Sequence, residues 1–180
     1  VALFGLQLWG CEAAQKPLDT PLRYTDVKGF VGEQQRLLAQ TKPQVQKQWS
    51  VGTEQDQQQT SDIDWETELE LFVQADINKP AFARSYTLTQ PDSLTRLYTA
   101  TETDKLPVRY LKVTLDSQQR INQLEAELVI TNNLYASRKL LFLECAEKGG
   151  QWLIKSYRIA GQQQLRFMQP KVFDVSGTIL

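Results

Sequence analysis

The feature that most constrains this chain is the alternation of apolar and polar residues through its second half. Leu111, Val113 and Leu115, then Leu124, Ala126, Leu128 and Ile130, place an apolar side chain at every second position, the period of a strand with one buried face. Phe173, Val175 and Ile179 continue the pattern. Strand candidates span 83–89, 94–102, 108–115, 119–131, 137–146, 152–160, 164–168 and 171–179. Asp116-Ser117-Gln118-Gln119, Lys148-Gly149-Gly150 and Ala160-Gly161 read as turns short enough for hairpins. Connections without room for a helix make neighbouring strands antiparallel, as in a meander. Arg109, Lys112 and Thr114, with Asn122, Gln123, Glu125 and Glu127, mark the other face as wet.

The first half reads as helical. Asp26 is placed to cap a helix in which Val27, Phe30, Val31, Gln34, Leu37 and Leu38 follow the 3.6-residue period. Gly29 and Gly32 weaken it, each costing nearly ~1 kcal/mol relative to Ala. Pro43 kinks this helix or opens a new segment bearing Val45 and Trp49. Positions 52–60 read as a Gln-rich polar loop. A second helix is expected from the cap candidates Ser61-Asp62-Ile63-Asp64, with Trp65, Leu69, Phe72 and Val73 on one face and a stop at Asn78-Lys79-Pro80. The expected fold class is α+β: an N-terminal helical hairpin packed on a curved antiparallel meander of roughly six to eight strands. Residues 25–180 form a single domain in this reading, helical over 25–80 and sheet over 81–180.

The extreme N-terminus carries a different signal. An apolar run, Val1 to Trp9, closes on Gly10 and Cys11, and a polar stretch with two prolines follows at once. Leu8, Gly10 and Cys11 match the cleavage box of a bacterial lipoprotein signal peptide, with Trp9 bulkier than the residue usual there. The chain therefore resembles a bacterial lipoprotein, which implies a signal-peptide end over 1–10, lipidation of Cys11 and a tether over 11–24. The stretch from Ile63 to Ala81 also resembles a segment of uncharacterised helix-plus-sheet envelope lipoproteins, a group that implies architecture and location without transferring a functional residue. Two or more acyl chains give stable attachment, at about 0.8 kcal/mol per buried methylene. The membrane is thus an expected partner through Cys11. The resemblance places the protein in the bacterial cell envelope, at the outer membrane, facing the periplasm or the surface.

Little in the chain suggests catalysis. It contains no His, which removes the usual base of nucleophile systems and the commonest metal ligand. The nine glycines are scattered rather than gathered into a phosphate loop. Besides Cys11, the single cysteine is Cys145, so Cys-pair metal sites are excluded. Cys145 lies in the apolar run Leu140–Ala146 and reads as core. The carboxylates Asp62, Asp64, Glu66, Glu68 and Glu70 are dense, but acidic residues in a helix's first turn favour its dipole and form solvated faces. No catalytic residue, cofactor or metal site is expected. A net charge of −1, without a basic cluster, argues against nucleic acid as a partner.

Three functional classes follow. The first is a non-catalytic lipoprotein binding a protein or envelope component. The second is a carrier or sensor of an apolar ligand held between sheet and helices, as the layout of half-barrel lipoprotein-sorting proteins suggests by analogy of fold. For it, Trp49, Trp65, Phe142, Trp152, Tyr157, Phe167 and Phe173 would line a cavity, although filling a core is their default. A hydrolase using carboxylates alone ranks last.

Overall fold

A computed structural model describes residues 22–102 and 105–180. Its elements run α1 (Val27–Thr41), β1 (Val45–Val51), β2 (Glu54–Thr60), α2 (Trp65–Glu68), α3 (Glu70–Gln74), β3 (Tyr86–Thr89), β4 (Thr95–Ala100), β5 (Val108–Leu115), β6 (Ile121–Thr131), β7 (Tyr135–Lys148), β8 (Gln151–Leu165) and β9 (Lys171–Ile179). The strands form one nine-stranded sheet in the order β2-β1-β9-β8-β7-β6-β5-β4-β3. Every pairing in it is antiparallel. From β3 to β9 the chain simply meanders. It closes its topology by pairing β1 with β9, so that Val45 lies opposite Ile179.

This corrects the expected fold class in two places. The region 25–80 is not a helical hairpin, because 45–60 is a β-hairpin and only α1 is a long helix. Val45, Lys47, Trp49 and Val51 face one way and Gln46, Gln48 and Ser50 the other, a two-residue period that the neighbouring helical pattern obscures. The stretch expected as a Gln-rich loop is the edge strand β2. It has no apolar residue to announce it, and its partner β1 is itself ordered by β9, more than a hundred residues away in sequence. Polar edges of this kind also discourage association with other sheets. Gly52, at φ +61, makes the connecting turn.

The second expected helix is broken at Leu69 (φ −101, ψ 7) into α2 and α3. The break lets Trp65 reach the ring of Tyr157 on β8, centroids 6.5 Å apart, while Phe72, Ala75 and Ile77 are fully buried. The strand count is also nine, not six to eight. The segments expected at 152–160 and 164–168 are largely one strand, β8, and Met168 lies beyond it in a turn. Gly161 is not a turn residue; it sits inside β8, where a Cβ would come closer than 3.0 Å to the Arg138 carbonyl of β7.

The three α-helices cover one face of the sheet, and their side chains merge with it into a single core. Val27, Val31 and Leu38 of α1 join Leu111, Val113, Leu124, Ala126, Leu141, Leu143, Ile154 and Tyr157 there. Asp26 caps α1 by accepting the Gly29 N–H at 2.8 Å. A Cβ at Gly29 would strike that same carboxylate, so the poor helix former is where the cap needs it. Gln34 is the polar exception in the core, 3% exposed. Its amide donates to the Trp152 carbonyl at 3.0 Å and accepts from the Ile154 N–H at 2.8 Å. It thereby pairs β8 backbone next to the irregularity in the β7–β8 register, at Glu144/Cys145.

Candidate functional site

The register places residues of four strands in two rows on the outer face, away from the helices. One row runs Gln57, Gln48, Ser176, Arg158; the next runs Gln55, Ser50, Asp174, Ala160. All of these but Ala160, together with Trp49 and Asp56, line an open basin of about 740 Å³. Across its strands Arg158 pairs with Asp174, and the guanidinium Nε donates to both carboxylate oxygens at 3.0 Å. The Asp174 carboxylate beside it raises the Arg158 pKa further above its ordinary value. The pair is close to neutral as a unit, so the basin offers amides and hydroxyls as donors and acceptors around a fixed fork, together with the Asp56 carboxylate.

The rest of the outer face is tied by cross-strand ion pairs. Lys112 meets Glu125 at 2.9 Å, Lys155 meets Glu144 at 3.5 Å, and Arg138 pairs with Glu127. Such exposed pairs each contribute little stability but discourage slippage of register.

A second polar constellation lies under α2 on the helix-covered face. Glu68 accepts from Lys47 Nζ at 2.7 Å and from the Tyr157 hydroxyl at 2.5 Å. Burial, then the hydrogen bond to Glu68, push the Tyr157 phenol far above its usual pKa. The Tyr157 ring lies across β9 at Gly177, where a Cβ would meet it closer than 3.0 Å. The arrangement docks α2 onto the sheet. Each oxygen of the Glu68 carboxylate already has a partner, and a phenol held protonated this firmly is no base at neutral pH.

The other residues singled out from sequence scatter. Cys145 is buried, and burial followed by the charge of Glu144 pushes its thiol up to about 12. It is a core residue, not a nucleophile. Asp64 caps α2, accepting from the Glu66 and Thr67 N–H groups and the Thr67 hydroxyl; the Thr67 hydroxyl lowers its pKa first. Glu70 receives the Gln74 amide, and Glu68 is used as above. The acidic run therefore does not converge. Among the described residues, no group of three potential ligands is placed to hold a metal ion.

Of the aromatics expected to line a cavity or fill a core, Trp65 and Tyr157 are core, Trp152 and Phe173 pack at its margin, and Trp49 lies at the basin. Phe142 lies on the outer face opposite Arg158, and Phe167 is 93% exposed. Where an apolar ligand was expected, between sheet and helices, stand Leu38, Trp65, Leu69 and Phe72. Cys11 and its cleavage box lie outside the described residues. Among the described residues, no helix is long and apolar enough to cross a membrane.

Sequence reasoning missed the basin because half of it lies on strands taken for a helix and a loop. The one available signal was the even spacing of Gln46, Gln48 and Ser50 beside Gln55, Gln57 and Gln59. Comparison with known proteins finds no matching family model, curated protein or solved structure. The geometry alone defines the class: a one-sheet antiparallel domain with helices on one face and a polar basin on the other.

Proposed function

We propose that this protein is a non-catalytic binding module of the bacterial envelope, held at the outer membrane by lipid on Cys11, whose outer basin takes an uncharged polar polymer, a glycan strand. The observation that carries the reading is the lining of the basin: Gln48, Ser50, Gln55, Gln57 and Ser176 around the Arg158–Asp174 pair, with the Trp49 ring and the Asp56 carboxylate beside them. Glycans present hydroxyls and amides, and amide and hydroxyl side chains match them as both donors and acceptors. An open polar trough on a sheet also suits a chain that passes through, whereas small apolar ligands favour enclosed pockets. The apolar leader closing on Leu8-Trp9-Gly10-Cys11 supports the anchor.

Titration of the full chain with a β-linked N-acetylglucosamine tetramer, followed by backbone amide shifts, tests the ligand. Saturable shifts confined to β1, β2 and β9 are expected, with Kd near ~0.1–1 mM. They should disappear in Gln48→Ala/Gln57→Ala, two positions on the outer face whose loss leaves the core untouched. Absence of shifts at millimolar tetramer overturns the glycan reading. Mass spectrometry of the membrane-extracted protein tests the anchor separately: an N-terminal peptide without acyl mass on Cys11 removes it.

A further inference from the structure

A second surface stands out at the end of the sheet where β6 and β8 finish and β7 and β9 begin. Leu134 in one hairpin tip and Leu165, Phe167 and Met168 in the other are each more than half exposed. The two tips form one platform, because the Arg166 N–H donates to the Leu134 carbonyl at 2.9 Å. Single exposed apolar residues need no explanation, but a contiguous group at a protruding end does.

Phe167 adds an independent observation. Its backbone has φ +70, a conformation that is a real outlier for a bulky side chain. The ring gains little burial from it, being 93% exposed. Its one ring contact is the neighbouring Arg166 guanidinium, 5.1 Å from the centroid, and strain held at an aromatic so little buried indicates that the side chain is wanted outside the fold.

Charge indicates what it meets. Residues 128–143 and 159–173, which make up both tips, contain no Asp or Glu but include Arg138, Lys139, Arg166 and Lys171. Arg138 is occupied by Glu127 and Lys139 lies four positions inside the sheet, opposite Gly161, which leaves Arg166 and Lys171 flanking the apolar tip in a chain whose net charge is −1. Apolar side chains flanked by cations match an anionic bilayer surface, with the aromatic at the acyl boundary and the cations among headgroups. We propose that this platform is a membrane-contact site that inserts Phe167 and Met168 into an anionic lipid surface. Tyr24, on the segment leading from Cys11, packs against Tyr86 at the first position of β3, on this same end of the sheet. The platform needs no lipid on Cys11 for its membrane contact.

The test uses the full chain carrying Cys11→Ser, so that no acyl chain contributes, and co-sedimentation with vesicles. Binding to phosphatidylcholine vesicles containing roughly one-third phosphatidylglycerol is expected, weakening with salt. Adding Phe167→Asn/Met168→Ser should raise the lipid concentration for half-binding by roughly tenfold or more. Asn accepts positive φ, so this variant should fold at least as well, which thermal unfolding checks. Arg166→Gln/Lys171→Gln should remove the salt-dependent part while leaving the apolar part. Equal binding with and without Phe167 and Met168, or no binding by the parent, overturns the proposal. So does a vesicle-independent dimer, seen by analytical ultracentrifugation, that Phe167→Asn/Met168→Ser dissolves, since the platform would then serve a second copy of the chain.

Discussion

Replacing Gly177 by Ala should be among the most damaging single-methyl additions to this protein, and the reason can be isolated. The new Cβ would lie closer than 3.0 Å to Cζ, Cε1 and the hydroxyl of Tyr157, a ring that is 1% exposed. Overpacking of a filled core costs typically ~1–3 kcal/mol. If the ring moves to make room, it gives up its 2.5 Å hydrogen bond to Glu68, and a bond to a charged group contributes ~1.5–3 kcal/mol. The combined loss should be about 3–5 kcal/mol, a large part of the ~5–15 kcal/mol typical of a domain. Urea unfolding, followed by tryptophan fluorescence, reads it as a lower midpoint at unchanged slope. Tyr157→Leu supplies the control, because Leu lacks all three clashing atoms. In that background Gly177→Ala should cost less than about 0.5 kcal/mol, or stabilise by restricting the unfolded chain. The coupling between the two positions should exceed ~2 kcal/mol. Equal losses in both backgrounds would refute the reasoning and place the cost of the added methyl in the β1–β9–β8 backbone instead.

Two further outcomes follow from buried polar groups. Gln34→Leu keeps the volume but strips the partners from the Trp152 carbonyl and the Ile154 N–H; leaving a buried donor unpaired should cost ~1–3 kcal/mol, and amide exchange at Ile154 should accelerate ahead of its neighbours. Cys145 should resist a thiol reagent in the native state at pH 8 and react only on unfolding. Its folded pKa, about 12 against an ordinary 9.0, means the unfolded thiol loses its proton first. Stability from this group is thus intact below pH 9 and falls through the window from 9 to 12, at ~1.4 kcal/mol per pH unit. Tyr86, raised from 10.0 to about 12 chiefly by burial, adds its share only above pH 10. Cys145→Ala should flatten the slope between 9 and 10, and an unchanged slope would show that the thiol is not buried as described.

How much was legible in the sequence depended on whether an element carries its own signal. Strands β5 and β6 announce themselves through alternation over most of their length, since each buries one face against the helices. The start of α1 is equally local: Asp26 and Gly29 lie three residues apart and make the cap between them. The turn at Gly149 and Gly150 is likewise self-contained, with φ of +60 and +78. By contrast, β2 has no apolar residue and becomes a strand because β1 presents a free edge to it. The break at Leu69 is invisible in a helical period, because both pieces pack against α1 while α2 must also bring Trp65 to Tyr157 on β8. The basin was illegible for the same reason: its rows join positions 48, 57, 158 and 176, whose neighbourhood exists only once the sheet is assembled.

By itself, then, the sequence determined the local terms: which strands bury a face, where α1 begins, the turn at Gly149 and Gly150, and the absence of histidine from these residues. Tertiary structure decided everything that depends on pairing across long stretches of chain. It converted a polar stretch into an edge strand, divided a helix and set Gly177 beneath Tyr157. It also left Phe167 outside in a strained turn. The physical reason is that backbone hydrogen bonds between strands are indifferent to side-chain type, so a strand can be recruited by its neighbour's open edge without any signature of its own.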